Sequence, residues 1–261
     1  MLTDLDPNTY AQRLRESQEK NMLISPLRDE IGITDLDFAY QIQDLNTKFK
    51  LEQGHRIVGK KIGLTSVAVQ QQLGVDQPDY GVLFEDMEVL NGLTISMQEL
   101  MQPKVEMEVA FVLKSDLIQE NLVLTDIINA IDYALPAVEI VGSRIENWNI
   151  KITDTIADNA SASHYVLGHQ LKKLDQFDVI NCPMRLYVND ALVSSGKGSD
   201  CLGSPLNATL WLAQKMQVVG KPLKAGEIIL SGALGKFVEV QKGDQVLGEI
   251  EGLGTVTVGF D

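Results

Sequence analysis

One stretch constrains this 261-residue chain more than any other: Lys104-Val105-Glu106-Met107-Glu108-Val109-Ala110-Phe111-Val112-Leu113. On a strand, alternate side chains share a face. Val105, Met107, Val109, Phe111 and Leu113 then form one unbroken apolar face that has to be buried. Glu106 and Glu108 project together from the other face. Adjacent like charges repel, so the pair needs either water or a compensating cation. Taken alone, the pattern also fits a half-exposed strand carrying two solvated glutamates. Glu139 sharpens the choice. It sits in Leu135-Pro136-Ala137-Val138-Glu139-Ile140-Val141, where a carboxylate is either partly exposed or paired with positive charge. Three carboxylates from two strands suit a hard divalent cation, Mg2+ or Mn2+, with positions left for water or a chelating substrate. Zinc is disfavoured in the absence of His or Cys partners.

The remaining patterning predicts an α+β fold. Residues 8–20 read as a helix. Thr34 is a candidate cap for a second helix, in which Phe38, Ile42, Leu45 and Phe49 form a stripe that Gly54 ends. From Arg56 the texture changes. Arg56–Gly63 reads as a strand, Ser66–Leu73 as a short helix closed by Gly74, and Thr125 to about Tyr133 as a helix capped by Thr125. Ala137–Val141 is a short strand after Pro136. Arg185–Val188 and Leu192–Ser194 flank the hairpin signal Asn189-Asp190. Pro205–Gln217 is helical, and four short β segments follow from Ile228 to Phe260. The expected organisation is a helical N-terminal region, residues 1–55, and a mixed-β domain, residues 56–261, rolled or sandwiched rather than doubly wound.

Composition removes several functions. The chain carries 36 Asp+Glu against 22 Lys+Arg, a net charge of −14, so neither nucleic acid nor an anionic membrane surface is an expected partner. No apolar run approaches the ~18 residues of a membrane span, and the acidic N-terminus lacks a signal-peptide pattern. Cys182 and Cys201 have no CxxC spacing and read as free thiols in a reducing cytoplasm. His55, His164 and His169 form no metal-binding spacing. Gly252-Leu253-Gly254 and Gly196-Lys197-Gly198 lack the further residues of nucleotide-binding loops.

Two polar segments are candidates to complete a site. In Gly59-Lys60-Lys61-Ile62-Gly63-Leu64-Thr65-Ser66, with Gln77-Pro78-Asp79-Tyr80-Gly81 downstream, a lysine among glycines can hold a substrate carboxylate or donate a proton. Asp154-Thr155-Ile156-Ala157-Asp158-Asn159-Ala160-Ser161 follows Ser143-Arg144-Ile145-Glu146-Asn147-Trp148, and such loops carry function on rigid scaffolds. Asp158-Asn159 is equally ordinary turn chemistry.

Taken together, these segments resemble the 2-keto-4-pentenoate hydratases of the fumarylacetoacetate hydrolase superfamily. The matching stretches are Gly59–Thr65 (GKKIGLT), Val69–Gly81 (VQQQLGVDQPDYG), Glu106–Glu108 (EME), Leu135–Trp148 (LPAVEIVGSRIENW), Asp154–Ser161 (DTIADNAS), Ser194–Ala208 (SSGKGSDCLGSPLNA) and Ile228–Leu234 (IILSGAL). The resemblance implies the superfamily's C-terminal mixed-β fold and a metal site of Glu106, Glu108 and Glu139. It implies that Lys61, Asp79 and Ser161 line the active site and that Leu64 and Ser231 contact substrate. It implies water addition to 2-hydroxypenta-2,4-dienoate in aromatic meta-cleavage catabolism. It further implies a cytoplasmic homo-oligomer, pentamer or decamer, that can associate with pathway enzymes. Decarboxylases and C–C hydrolases share the scaffold, as do partner subunits of hydratase–decarboxylase complexes.

Overall fold

Asp6 starts the first helix, α1 (Pro7–Lys20): its side chain accepts from the Asn8 backbone N–H at 3.0 Å, and Pro7 needs no such partner. The computed structural model describes residues 5–66, 70 and 77–261. A short α2 (Arg28–Ile31) and α3 (Leu36–Glu52) complete the N-terminal helices. Asp35, not Thr34, caps α3, accepting from the Phe38 N–H at 3.0 Å. The carboxylate reaches the free N–H groups of the first turn and also meets the positive end of the dipole. Tyr10, Ala11, Leu14 and Ile42 then form a small core with Ile145, Ile152 and Ile156 from the later chain. The α3 stripe is therefore real, although Phe49 at its end stays exposed.

Two sheets make the rest. The larger contains β1 (Ile57–Gly63), β2 (Asp79–Phe84), β4 (Lys104–Leu113), β5 (Ile131–Val141), β6 (Ala162–Leu167) and β9 (Ile228–Ala233), in the order β2-β1-β9-β4-β5-β6; β10 (Val238–Glu239) pairs with the start of β4. The smaller, β3-β12-β11-β7-β8, is built from β3 (Thr94–Ile95), β7 (Pro183–Val188), β8 (Ala191–Lys197), β11 (Gln245–Ile250) and β12 (Gly254–Phe260). The β1–β9 and β3–β12 pairs are parallel and the other pairs antiparallel, so the sheets are mixed. The predicted apolar face of β4 is the face between the sheets. Val105, Met107, Val109, Phe111 and Leu113 are buried in one core with Val246, Val256, Val258 and Phe260 of the second sheet. Helix α5 (Pro205–Val218) closes that core with Leu206, Leu212 and Met216. The helical start, mixed-β remainder and rolled sheets are the expected α+β architecture.

Two boundaries differ from the sequence reading. The helix expected from Thr125 to Tyr133 is α4 (Leu124–Ala130), and Ile131 already has extended geometry. The strand expected to begin after Pro136 begins at Ile131, where the chain pairs with the end of β4. Proline removes only one donor, and the Pro136 carbonyl still accepts from Gly168 N–H at 2.8 Å. The hairpin at Asn189-Asp190 is as expected, both residues taking positive φ, 50° and 66°. The helix expected over Ser66–Leu73 falls largely outside the described residues. Among the described residues, no helix is long and apolar enough to cross a membrane.

Candidate active site

The strand parity read from the sequence places three carboxylates together. Glu106 and Glu108 leave the same face of β4, and Glu139 is the direct cross-strand partner of Glu106 on β5. Each offers an oxygen within 4.8 Å of the others, and all three residues are buried. Glu108 Oε2 accepts from the Gly232 N–H at 2.7 Å. Gly232 has φ +107° and abuts Thr65, so a side chain there would be strained and blocked. Glu108 Oε1 and both Glu139 oxygens have no hydrogen-bond partner. Buried, unpartnered carboxylate oxygens are costly. Burial first, then Glu139, holds Glu108 well above the usual carboxylate range, and the same two causes raise Glu106. Three carboxylates with open oxygen lone pairs and no sulfur or imidazole are the donor set of a hard divalent cation.

Lys61 faces this group. Lys60 and Lys61 alternate across β1. Lys60 Nζ turns to Glu227 at 2.9 Å, while Lys61 Nζ lies 3.1 Å from Glu139 Oε1 and donates to the Ala160 carbonyl at 3.0 Å. The Glu139 contact is an ion pair without hydrogen-bond alignment. Burial opposes the charge on Lys61, but Glu139, Glu106, Asp79 and Glu108 together outweigh it and raise its pKa.

Asp79 starts β2 opposite Gly63, the last residue of β1. A Cβ on Gly63 would come 2.2 Å from Asp79 Oδ1, so only glycine leaves this carboxylate its place. Burial raises the Asp79 pKa to about 6, against the attraction of Lys61 and a hydrogen bond from Thr155. Thr155 Oγ1 donates to Asp79 Oδ2 at 3.1 Å and lies 3.3 Å from Ser161 Oγ, while Asp79 Oδ1 is unpartnered.

A cavity of about 260 Å3 opens onto these groups. Lys61, Leu64, Asp79, Glu106 and Ser161 line it, and Glu108 and Glu139 lie behind that lining. Leu64 adopts φ 58°, and its carbonyl accepts from Gln70 Nε2 at 2.7 Å. Ser231 does not line the cavity; its hydroxyl is buried without a partner beside Gly232. Five of the eight residues singled out from the sequence thus share one cavity wall, two stand directly behind it, and Ser231 is set back.

The loop Asp154–Ser161 contributes more than its serine. Asp154 ends an ion pair with Arg28 at 2.6 Å, and Asp158 is bonded by the buried Arg144 guanidinium. Asn159 clamps β2 through Val82 N–H at 2.8 Å and Val82 O at 2.9 Å. These residues fix the loop rather than touch the cavity's carboxylates. Thr155, the Ala160 carbonyl and the Gly232 N–H were not identified from the sequence. Two of the three act through backbone atoms, which have no side-chain signature.

A second set, His55, Glu85 and Asp86, also brings ligand atoms within 4.8 Å but is partly exposed. Glu85 already accepts from the Arg56 N–H at 2.7 Å, and Asp86 pairs with Lys50 at 2.8 Å. Cys182 and Cys201 are free, as read from the sequence, and both are buried.

Known proteins resemble this chain over nearly its whole length. The chain is 51% identical over 254 residues to "2-keto-4-pentenoate hydratase 2" of Dechloromonas aromatica, covering 97% of each chain. It is 52% identical over 250 residues to the "TodF product hydratase" of Pseudomonas putida, covering 96% of this chain and 93% of that one. Among solved structures, 4-oxalocrotonate decarboxylase from Pseudomonas putida G7, complexed with magnesium and adipate, superposes with a TM-score of 0.94 at 31% identity, covering 98% of this chain and 97% of that one. Residues 57–260 match the fumarylacetoacetate (FAA) hydrolase C-terminal family. With a match over most of its length and half-identical relatives across nearly all of it, the chain belongs to the fumarylacetoacetate hydrolase family.

Proposed function

We propose that this protein is a divalent-metal-dependent hydratase that converts 2-hydroxypenta-2,4-dienoate to 4-hydroxy-2-oxopentanoate in aromatic meta-cleavage catabolism. One observation carries the reading: buried Glu106, Glu108 and Glu139, with open oxygens, face Lys61 and Asp79 in a chain half identical to hydratases from end to end. Glu106, Glu108 and Glu139 would hold the cation, which as a Lewis acid stabilises negative charge on the substrate's 2-oxygen. The ion is Mg2+ or Mn2+, both of which an all-carboxylate ligand set suits.

The reaction first moves a proton from the 2-hydroxyl to C5, giving the α,β-unsaturated ketone. Water then adds its oxygen at C4 and its proton at C3. Lys61, kept charged by the surrounding carboxylates, holds the substrate carboxylate or enolate and carries a proton. Asp79 has a free Oδ1 and a raised pKa of about 6, which suits it to proton relay or to activating water. Ser161, linked to Asp79 through Thr155, orients the substrate. Leu64 contacts the substrate from the cavity wall, and Ser231 acts from behind, beside the Gly232 that holds Glu108.

The proposal extends to organisation. Residues 1–55 form a helical region and residues 56–261 the catalytic domain, a division supported by the family match beginning at residue 57. The protein works in the cytoplasm as a homo-oligomer, pentamer or decamer, with association with pathway enzymes as a further property; its two free cysteines suit a reducing compartment. The functional test follows dienol absorbance with 2-hydroxypenta-2,4-dienoate and Mg2+ or Mn2+, beside a CO2-release assay with 2-oxo-3-hexenedioate. Metal-dependent dienol loss is expected. No loss above background refutes the hydratase reading, and CO2 release alone would assign the decarboxylase chemistry. Light scattering on the eluted protein tests the oligomer.

A further inference from the structure

Lys104 stands two residues before Glu106 on β4, so both side chains leave one face of the strand. They are about 6.7 Å apart along it, and both line the cavity. Glu106 marks the carboxylate end. Lys104 lies against Trp148 and Phe237, which line the same cavity. The Lys104 ammonium lies 4.8 Å from the Trp148 ring centre and 4.7 Å from that of Phe237. The two rings are 6.0 Å apart and inclined by 20°. Trp148 is itself fixed, its indole N–H donating to the Gln102 carbonyl at 2.9 Å. Lys104 also pairs with Glu239 at 3.3 Å, and β10 puts Glu239 directly opposite it in register.

The consequence is electrostatic. Among the described residues lining the cavity, the cations are Lys61 and Lys104. Lys61 is committed to the carboxylate end. A substrate held by its head near Glu106 and extended along β4 would bring its tail to Lys104. There it meets two aromatic faces and a cation that is already partnered, by the rings' π-density and by Glu239. Glu239 is outside the cavity and 82% exposed, so its charge can be removed without disturbing the wall.

We propose that the Lys104–Glu239 pair, seated on Trp148 and Phe237, determines which substrate tails are accepted. Paired, it admits an uncharged or short alkyl tail and disfavours a second carboxylate. Unpaired, the same lysine draws a diacid. The inference rests on the hydratase reading for the placement of the substrate head.

The test is calorimetric binding of 2-oxopentanoate and 2-oxohexanedioate to the full-length, Mg2+-loaded protein. Glu239→Gln should raise the affinity for the diacid relative to the monoacid by about 1.4- to 5-fold at low ionic strength, the range of an exposed ion pair. The gain should shrink at high salt and vanish in Lys104→Met/Glu239→Gln. An unchanged ratio in Glu239→Gln, or a gain that survives loss of Lys104, overturns the proposal. Failure of the dienol assay would instead strike the hydratase reading and leave this binding ratio readable.

Discussion

Asp79→Asn should stabilise the metal-free protein while abolishing its activity. The asparagine is nearly isosteric and can keep the hydrogen bond from Thr155 through its side-chain oxygen. What it removes is a buried charge. Burial lifts the Asp79 pKa from 3.8 to about 6 in the folded state. Below pH 3.8 the carboxyl is protonated in both states and costs nothing. Between 3.8 and about 6 the unfolded chain loses the proton and the folded one keeps it, so stability falls as pH rises. Above about 6 the loss is complete, at about 3 kcal/mol. Asp79→Asn should therefore gain about 3 kcal/mol at pH 8 and nothing near pH 4. In a chain of this size that is roughly 6–12 °C in Tm. The assay is thermal unfolding in EDTA at pH 4, 6 and 8, with dienol turnover measured on the same metal-reloaded samples. Turnover should fall by about a hundredfold or more if Asp79 moves a proton. A stability gain that is equal at pH 4 and pH 8, or a loss at pH 8, would refute the electrostatic account.

Glu139→Gln removes one of three carboxylates and should weaken Mg2+ binding by at least about tenfold by titration calorimetry; unchanged affinity would remove Glu139 from the metal site. Gly63→Ala puts a methyl 2.2 Å from Asp79 Oδ1, and should reduce turnover far more than it reduces the unfolding midpoint in urea. Arg144→Met strips the cation from buried Asp158 and should cost about 3–5 kcal/mol in urea unfolding at neutral pH; a neutral result would mean the Arg144 contacts do not hold the loop.

How much of this was legible depended on parity. Val105 through Leu113 alternate so regularly that the buried face and the Glu106/Glu108 face could be assigned without coordinates. The pairing of Glu139 with Glu106 could not, because register is set by the whole sheet, including a β5 that begins six residues earlier than expected and runs through Pro136. Lys60 and Lys61 are equivalent in the sequence until β1 is paired, and only then does one face Glu227 and the other the cavity. Asp79 entered through family resemblance, since a lone aspartate after proline reads as a turn. Lys104, at the head of β4, carries no local signal of a role in the cavity. Its role depends on Trp148 and Phe237, 44 and 133 residues later in the chain. Arg144 and Asp158 bond each other across 14 residues, and nothing local in the sequence indicates that pairing.

The longest run of left-handed non-glycine backbone among the described residues lies in the Asp154–Ser161 loop. Asn159, Ala160 and Ser161 take φ of 55°, 50° and 59° in succession, a left-handed turn with no glycine. Each such residue costs about 1–2 kcal/mol, so the turn exists only because its surroundings impose it. Asn159 is held at both ends of its amide by Val82, the Asp158 carbonyl accepts from Arg144 at 2.8 Å, and the Ser161 carbonyl accepts from Gly142 N–H at 2.9 Å. The turn aims the Ala160 carbonyl at Lys61 and Ser161 Oγ at Thr155. Lys61 already faces four buried carboxylates. Another carboxylate to steady its ammonium would have added to their mutual repulsion. A carbonyl supplies the acceptor without a charge, and the left-handed turn delivers it at hydrogen-bond distance. The strain therefore serves electrostatics: it orients the Lys61 ammonium while leaving Glu108 Oε1 and both Glu139 oxygens without a hydrogen-bond partner.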